Sequence, residues 1–324
     1  MTAPQALLEV RDLTKHFAVT KGFLRPVTTI VRAVDGVSFA VTRGEAFGVV
    51  GESGCGKSTV ARAVLRLIPP DAGSVRFADI DVTGARGSTL QQLRRRMQIV
   101  FQDPYSSLNP RRTIGQTLTE PLGVHGLARG RAARERAIAL LEEVGLPSSA
   151  YDRRPHEFSG GQRQRIGIAR ALSVEPELIV AHEPVSALDV SVQAQVLLLL
   201  KDLQARRGLT FVFVSHDLGV IRWFCSRVAV MYLGRIVESG PVARVFGAPR
   251  HPYTRMLRDA SPLPDPSIRG HLPRIIGEIP SAANPPSGCH FHPRCPRASD
   301  LCRTVYPEWR ADGDGGVACH HPED

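Results

Sequence analysis

The chain has 324 residues, carries 41 Lys+Arg against 31 Asp+Glu for a formal net charge of +10, and is 43% apolar and 22% charged. With a mean hydropathy of −0.09 this composition excludes intrinsic disorder, and at about 150 residues per domain it implies two units, or one large α/β domain with an appendage. No apolar run approaches the ~18–20 residues of a membrane span. The nearest, residues 194–200, is closed by Lys201 and Asp202, and residues 1–9 lack the basic start and apolar run of a secretory signal. A soluble, intracellular chain is expected.

Residues 7 to about 245 alternate strand and helix patterns, as in an α/β domain with a largely parallel sheet. Residues 46–50 (AFGVV) predict a buried strand running into a glycine-rich turn, and residues 58–67 then have helical spacing. From Tyr105 to about Arg170 the pattern is helical, with a strong helix over 132–144 stopped by Gly145 and Pro147. Residues 178–181 and 211–214 predict further buried strands. Beyond Pro249, prolines recur to Pro293 and predict a long irregular connection; the Cys/His-rich tail after Gly288 has too little apolar material for its own core. The expected division is 1–248 as the main domain, with a helical subdomain at about 105–170, and 249–324 as an extension. The positive charge admits nucleic acid, anionic lipid or phosphorylated ligands. It falls in short bursts (94–96, 111–112, 129–136) without an aromatic-basic platform, as solvated helix faces also do.

Residues 51–59 read GESGCGKST and satisfy G-x-x-x-x-G-K-[ST]. Gly51, Gly54 and Gly56 let the backbone turn its N–H groups inward on phosphate oxygens, around Ser53, while the helix that follows presents its positive end. Lys57 is placed to reach the β- and γ-phosphates, and the Ser58 hydroxyl, followed by Thr59, to hold Mg²⁺. Strand before and helix after are the context this motif needs, and ATP is the expected ligand. A second anion-facing helix start lies at Ser159, Gly160, Gly161 and Gln162; alone, it is equally an ordinary loop-to-helix turn. It is accompanied by Gln102 after residues 99–101, by Glu183 and the S-A-L-D run ending at Asp189 after the strand at 178–181, and by His216 after the strand at 211–214.

In this order the motifs resemble the ATP-binding subunit of an ABC transporter, over about residues 7–245. The resemblance implies a P-loop NTPase ABC ATPase core with a mainly parallel sheet, in which two subunits close head to tail over two ATP molecules. Each ATP would lie between one chain's Lys57 loop and the other's Ser159–Gln162 signature, with Asp189 among the nucleotide contacts. Glu183 would polarise the attacking water, His216 and Gln102 would contact the γ-phosphate region, and Gln102 would join Ser58 at Mg²⁺. Phe17 resembles the aromatic that stacks on adenine, and is equally an ordinary strand-edge aromatic. Residues 245–266 and 288–302 resemble the C-terminal region of oligopeptide/dipeptide importer ATPases; nickel, glutathione and some sugar or opine importers carry similar extensions. The implied partners are a second ATPase chain in a heterodimer, two membrane permease subunits, and an extracytoplasmic binding protein reached through the complex, with no nucleic acid. The implied location is peripheral, at the cytoplasmic face of the membrane.

The sequence departs from the family at one position. The strand before the catalytic glutamate normally ends in an aspartate that holds Mg²⁺ through water; here it is His182. Imidazole is a poor ligand for so hard a cation. Either Ser58, ATP oxygens and water suffice, or this site binds ATP and turns it over slowly.

Of six cysteines, Cys55 and Cys225 read as packing residues. Cys289, Cys295, Cys302 and Cys319 follow as C-x5-C, C-x6-C and C-x16-C with His290, His292, His320 and His321 nearby, unlike the C-x2-C of common zinc fingers. Four soft thiolates in a proline-rich tail suit a [4Fe–4S] cluster or Zn²⁺, and structural thiols without metal are the alternative. Some importer relatives carry an iron–sulfur cluster on a similar pattern, which favours the cluster as a staple for the tail. A nucleic-acid-directed ABC ATPase and a redox sensor built on the tail are the competing functions.

Overall fold

The computed structural model describes residues 6–21, 27–103, 105, 107–261 and 277–323. They fall into two compact units: a phosphate-loop unit of residues 6–41, 46–83 and 214–324, and a signature unit of residues 42–45 and 84–213. Among the described residues no helix is long and apolar enough to cross a membrane.

The phosphate-loop unit opens with two long strands, β1 (Ala6–Lys21) and β2 (Val27–Thr42), then β3 (Ala46–Val50), α1 (Lys57–Val64), β4 (Ala72–Phe77) and β5 (Ile80–Asp81). β1 pairs antiparallel with β4, Leu8 opposite Phe77 and Val10 opposite Val75. All four are buried, as the two-residue period of one covered face requires. Their sheet has the order β2-β1-β4-β5. β3 is the predicted strand and is buried at all five residues, which is why it reads as an unbroken apolar run.

The signature unit contains α2 (Gly87–Arg96), β6 (Met97–Val100), α3 (Ile114–Val124), α4 (Gly130–Glu143), α5 (Gly160–Leu172), β7 (Leu178–His182), α6 (Val190–Arg207) and β8 (Thr210–Val214). α4 is the strong helix expected from the sequence, and Gly145 after it takes a φ of 74°. α5 starts three residues before its apolar period because Ser159 and Gln162 form a reciprocal capping box. β6 and β7 run parallel, with Val100 opposite Ala181.

The chain returns to the phosphate-loop unit with α7 (Leu218–Phe224), β9 (Arg227–Tyr232), β10 (Arg235–Pro241), α8 (Val242–Gly247), α9 (Pro252–Ala260), α10 (Asp300–Thr304), β11 (Arg310–Asp312) and β12 (Gly315–Val317). β9 lies parallel to β3, Val50 opposite Val230, and antiparallel to β10. The extension adds β12 to β10, with Glu238 opposite Val317. One expectation needs correction. The stretch after Pro249 is not irregular throughout: Pro252 sits at the first turn of α9, where its missing N–H costs nothing, and the His251 side chain caps that turn. The tail, though too small for a core of its own, shares one: Phe291, Cys302, Val317 and Cys319 are buried. Residues 262–276, part of the proline-rich run, lie outside the described residues.

Candidate functional site

The phosphate loop leaves β3 at Gly51, and two of its glycines are dictated by space. A Cβ on Gly51 (φ 153°) would stand 2.2 Å from the Met231 carbonyl oxygen, and one on Gly56 (φ 107°) 2.0 Å from the Ala33 carbonyl oxygen. Gly56 is the N-cap of α1 and contributes no side-chain acceptor to the start of the helix, which suits an anion. The buried Lys57 ammonium donates to the carbonyls of Gly51 at 2.7 Å and Glu52 at 2.9 Å, closing the loop on itself. Ser53, Gly54 and Ser58 are exposed at the mouth, with Thr59 half-buried behind them. Cys55 is buried below, where desolvation raises its thiol pKa, so it is a filler, as expected.

His216 belongs to the same unit. Ser215 donates its N–H to the Val49 carbonyl at 3.2 Å, which sets the following His216, exposed, at the strand ends from which the phosphate loop departs. Asp217 then caps α7 by accepting the N–H groups of Gly219 and Val220. Phe17 is a half-exposed residue of β1 with the Lys15 ammonium 5.5 Å from its ring, a position open to either reading of it.

In the signature unit, the register of β6 with β7 sends Gln102 and Glu183, each two residues past a paired position, out of the same strand ends. Gln102 is exposed and the neighbouring Phe101 carbonyl accepts the Gln164 amide. Glu183 is half-buried and takes a φ of 47°, unusual for a side chain of its size, with its carbonyl accepting the Ser186 N–H. His182, before it, is half-buried at the end of β7. Ser159 and Gln162 are exposed at the start of α5, while Gly161 is buried against α6, where a Cβ would lie 2.3 Å from Val192. Asp189 caps α6; the Val192 N–H, then the Ser191 hydroxyl, hold its carboxyl below the usual range. The predicted residues thus form two sets, one in each unit.

The four tail cysteines line one small pocket together with His251, His292, His320 and His321. All are free thiols. Burial pushes the Cys289 and Cys319 thiols up to about 11 each, and each is raised further by the other three cysteines or by two of them. A bound cation would reverse that balance. The expectation of a ready ligand cage is nevertheless not met, because no group of three or more His, Cys, Asp or Glu among the described residues is arranged to hold a metal ion. His251 accepts the Tyr253 N–H on Nδ1, and burial lowers its pKa to about 3, so it stays neutral.

Sequence reasoning missed a contact between the extension and the phosphate loop. Glu52 receives both guanidinium nitrogens of Arg294, at 2.7 and 2.9 Å, and its backbone N–H donates to the Tyr253 hydroxyl at 2.9 Å. Neither periodicity nor motif spacing signals a pair separated by 242 positions. The sole hint is that Tyr253 and Arg294 fall inside the segments carrying the importer resemblance.

An ABC transporter model matches residues 34–186, and an oligopeptide/dipeptide transporter C-terminal region model matches residues 237–302. A probable peptide ABC transporter ATP-binding protein of Sinorhizobium fredii is 54% identical over 97% of this chain and 90% of its own. A di/tripeptide transport ATP-binding protein of Pseudomonas aeruginosa is 48% identical over 98% of both chains. Among solved structures, a dimeric bacterial ABC transporter cassette aligns with a TM-score of 0.64 at 30% identity, covering 72% of this chain and 98% of the cassette. Fold and phosphate loop therefore define an ATPase of the ABC type. Within that class, the chain belongs to the family of peptide ABC transporter ATP-binding proteins.

Proposed function

We propose that this chain is the peripheral ATP-hydrolysing subunit of a peptide importer, acting on the cytoplasmic face of the membrane beside membrane permease subunits. The observation that carries this is the glycine-built loop at the end of β3, closed by Lys57 and followed by an α1 whose N-cap, Gly56, contributes no side-chain cap. In the assembled transporter Lys57 and the loop N–H groups, including those at Gly54 and Thr59, bind the triphosphate. Ser58 and Gln102 would hold Mg²⁺ together with the ATP, and the bound cation would supply charge neutralisation at the γ-phosphate. Glu183 orients and deprotonates the attacking water, His216 contacts the γ-phosphate, and Ser159, Gly160, Gly161 and Gln162 serve the ATP held by the second ATPase chain. With His182 in place of a carboxylate, we read this chain's own site as the slower one of a heterodimer.

Docking on the permeases is proposed for α3. Arg112, Gln116, Thr119, Glu120, Gly123 and Val124 line an open groove of about 540 Å³, in which Val124 is an exposed apolar residue. The four cysteines are proposed to hold a [4Fe–4S] cluster, with Zn²⁺ as the alternative. Their convergence on one pocket is the observation that supports a four-thiol site.

The test is reconstitution with the permease subunits in vesicles. Peptide-loaded binding protein is expected to stimulate ATP hydrolysis, and Lys57→Ala to abolish both hydrolysis and uptake. A chain that co-purifies with nucleic acid and ignores peptide would overturn the reading.

A further inference from the structure

We propose that Arg294 and Tyr253 of the C-terminal extension are positioning residues for ATP binding, acting through Glu52, the second residue of the phosphate loop. This rests on the reading of residues 51–59 as the ATP site. The backbone part of the argument concerns a single peptide plane. The Gly51 carbonyl accepts Lys57 at 2.7 Å, and the N–H on the other edge of that peptide, belonging to Glu52, donates to the Tyr253 hydroxyl at 2.9 Å. Tyr253 therefore fixes the orientation of the carbonyl that catches the phosphate-binding lysine. Its ring is fully buried against Tyr232 and Phe291, with centroids 4.6 and 5.4 Å away, so the hydroxyl has little freedom to follow a drifting loop.

The charge part concerns the Glu52 carboxylate. An unpaired carboxylate in a loop that must receive a triphosphate raises the local negative potential and opposes the ligand. Arg294 meets it with a two-pronged bond from a side chain only 1% exposed. Glu52 in turn raises the guanidinium pKa against the effect of burial. The Arg294 guanidinium also lies beside the edge-to-face ring pair of Tyr232 and Phe291, 5.9 and 5.8 Å from their centroids. The loop thus carries an acidic residue whose charge is cancelled from the extension and whose backbone is steered from the extension.

The test measures binding of a fluorescent ATP analogue to the full-length chain, with thermal unfolding as the check on folding. Arg294→Met leaves Glu52 uncompensated and is expected to weaken nucleotide binding about tenfold. Adding Glu52→Gln to Arg294→Met removes both charges and should restore affinity to within about threefold of the parent, because deleting a whole buried pair costs far less than halving it. Tyr253→Phe keeps the ring and should raise Kd about threefold with little change in unfolding temperature. If Arg294→Met is too unstable to measure, Arg294→Lys retains charge without the fork and should bind more weakly than the parent. The proposal fails if the double variant binds as poorly as Arg294→Met, or if Arg294→Lys and Tyr253→Phe both bind as the parent does. Lys57→Ala in the same assay separates the two readings: unchanged affinity there removes the ATP-site assignment itself, whereas lost affinity with no effect at Arg294 or Tyr253 removes only this proposal.

Discussion

The Glu238 carboxylate accepts the backbone N–H of His251 at 2.9 Å, fastening the start of α9 to β10. Its other oxygen accepts the Arg250 N–H at the same distance, and the side chain is buried. Two otherwise unpaired donors are thereby satisfied by one residue, directly before the helix that carries Tyr253. Glu238→Ala should cost about 2–4 kcal/mol in chemical denaturation, since each orphaned buried N–H costs about 1–3 kcal/mol. Because Tyr253 loses its footing, ATP affinity should fall in the same variant under native conditions.

His182→Asp restores an oxygen ligand where the family's aspartate stands. Hydrolysis at this chain's own site should rise, or its Mg²⁺ requirement tighten, when measured in the proposed heterodimer with the partner's phosphate-loop lysine removed. Gly160→Asp makes the complementary change. A Cβ at Gly160 meets only Leu188, at 3.4 Å, so there is room for it, and under the proposed head-to-tail pairing a carboxylate there would face the ATP held by the second chain. Transport should stop with this chain's phosphate loop untouched. If His182→Asp alters neither rate nor Mg²⁺ dependence, the histidine is silent.

The four-thiol site predicts about four iron atoms per chain and a broad visible absorption in protein purified anaerobically. Replacing Cys302 with Ser should remove both. Stoichiometric zinc in place of iron would retain the site and reassign its occupant; neither metal, in protein kept from air and chelator, would eliminate it.

Acid sensitivity should trace in part to Glu177. It is hydrogen-bonded by Arg96 and, at 2.7 Å, by Arg43, and these lower its pKa from the ordinary 4.5, Arg96 most. The folded state therefore binds fewer protons than the unfolded one as pH falls below 4.5, so the stabilisation is full above that value and is lost as pH drops through the lowered folded value. Glu177→Gln should be about 1 kcal/mol less stable at pH 7 and converge with the parent in strong acid. Parallel curves across the whole range would exclude this assignment.

Features encoded locally were legible before the structure. The strand at 46–50 is buried on both faces and so shows an unbroken apolar run, and Gly51 and Gly56 declare themselves because only glycine fits against Met231 and Ala33. The start of α5 was legible as well, at the Ser159–Gln162 pair that forms its capping box. α9 is hidden in the sequence by the recurring prolines around it, which mark breaks in most helices, whereas Pro252 at a first helical position is a start. The grip of Arg294 on Glu52 was not legible at all, since no local period connects residues so distant in the chain.

That grip has a consequence for inheritance. Positions 52 and 294 behave as one character written in two places: an acidic residue at 52 burdens the chain unless a fork-shaped cation is delivered from the extension, and a buried arginine at 294 is a liability without the acid. Among related chains the two should be gained and lost together. A chimera that grafts this extension onto a relative's cassette should reach the parent's stability only when residue 52 travels with it.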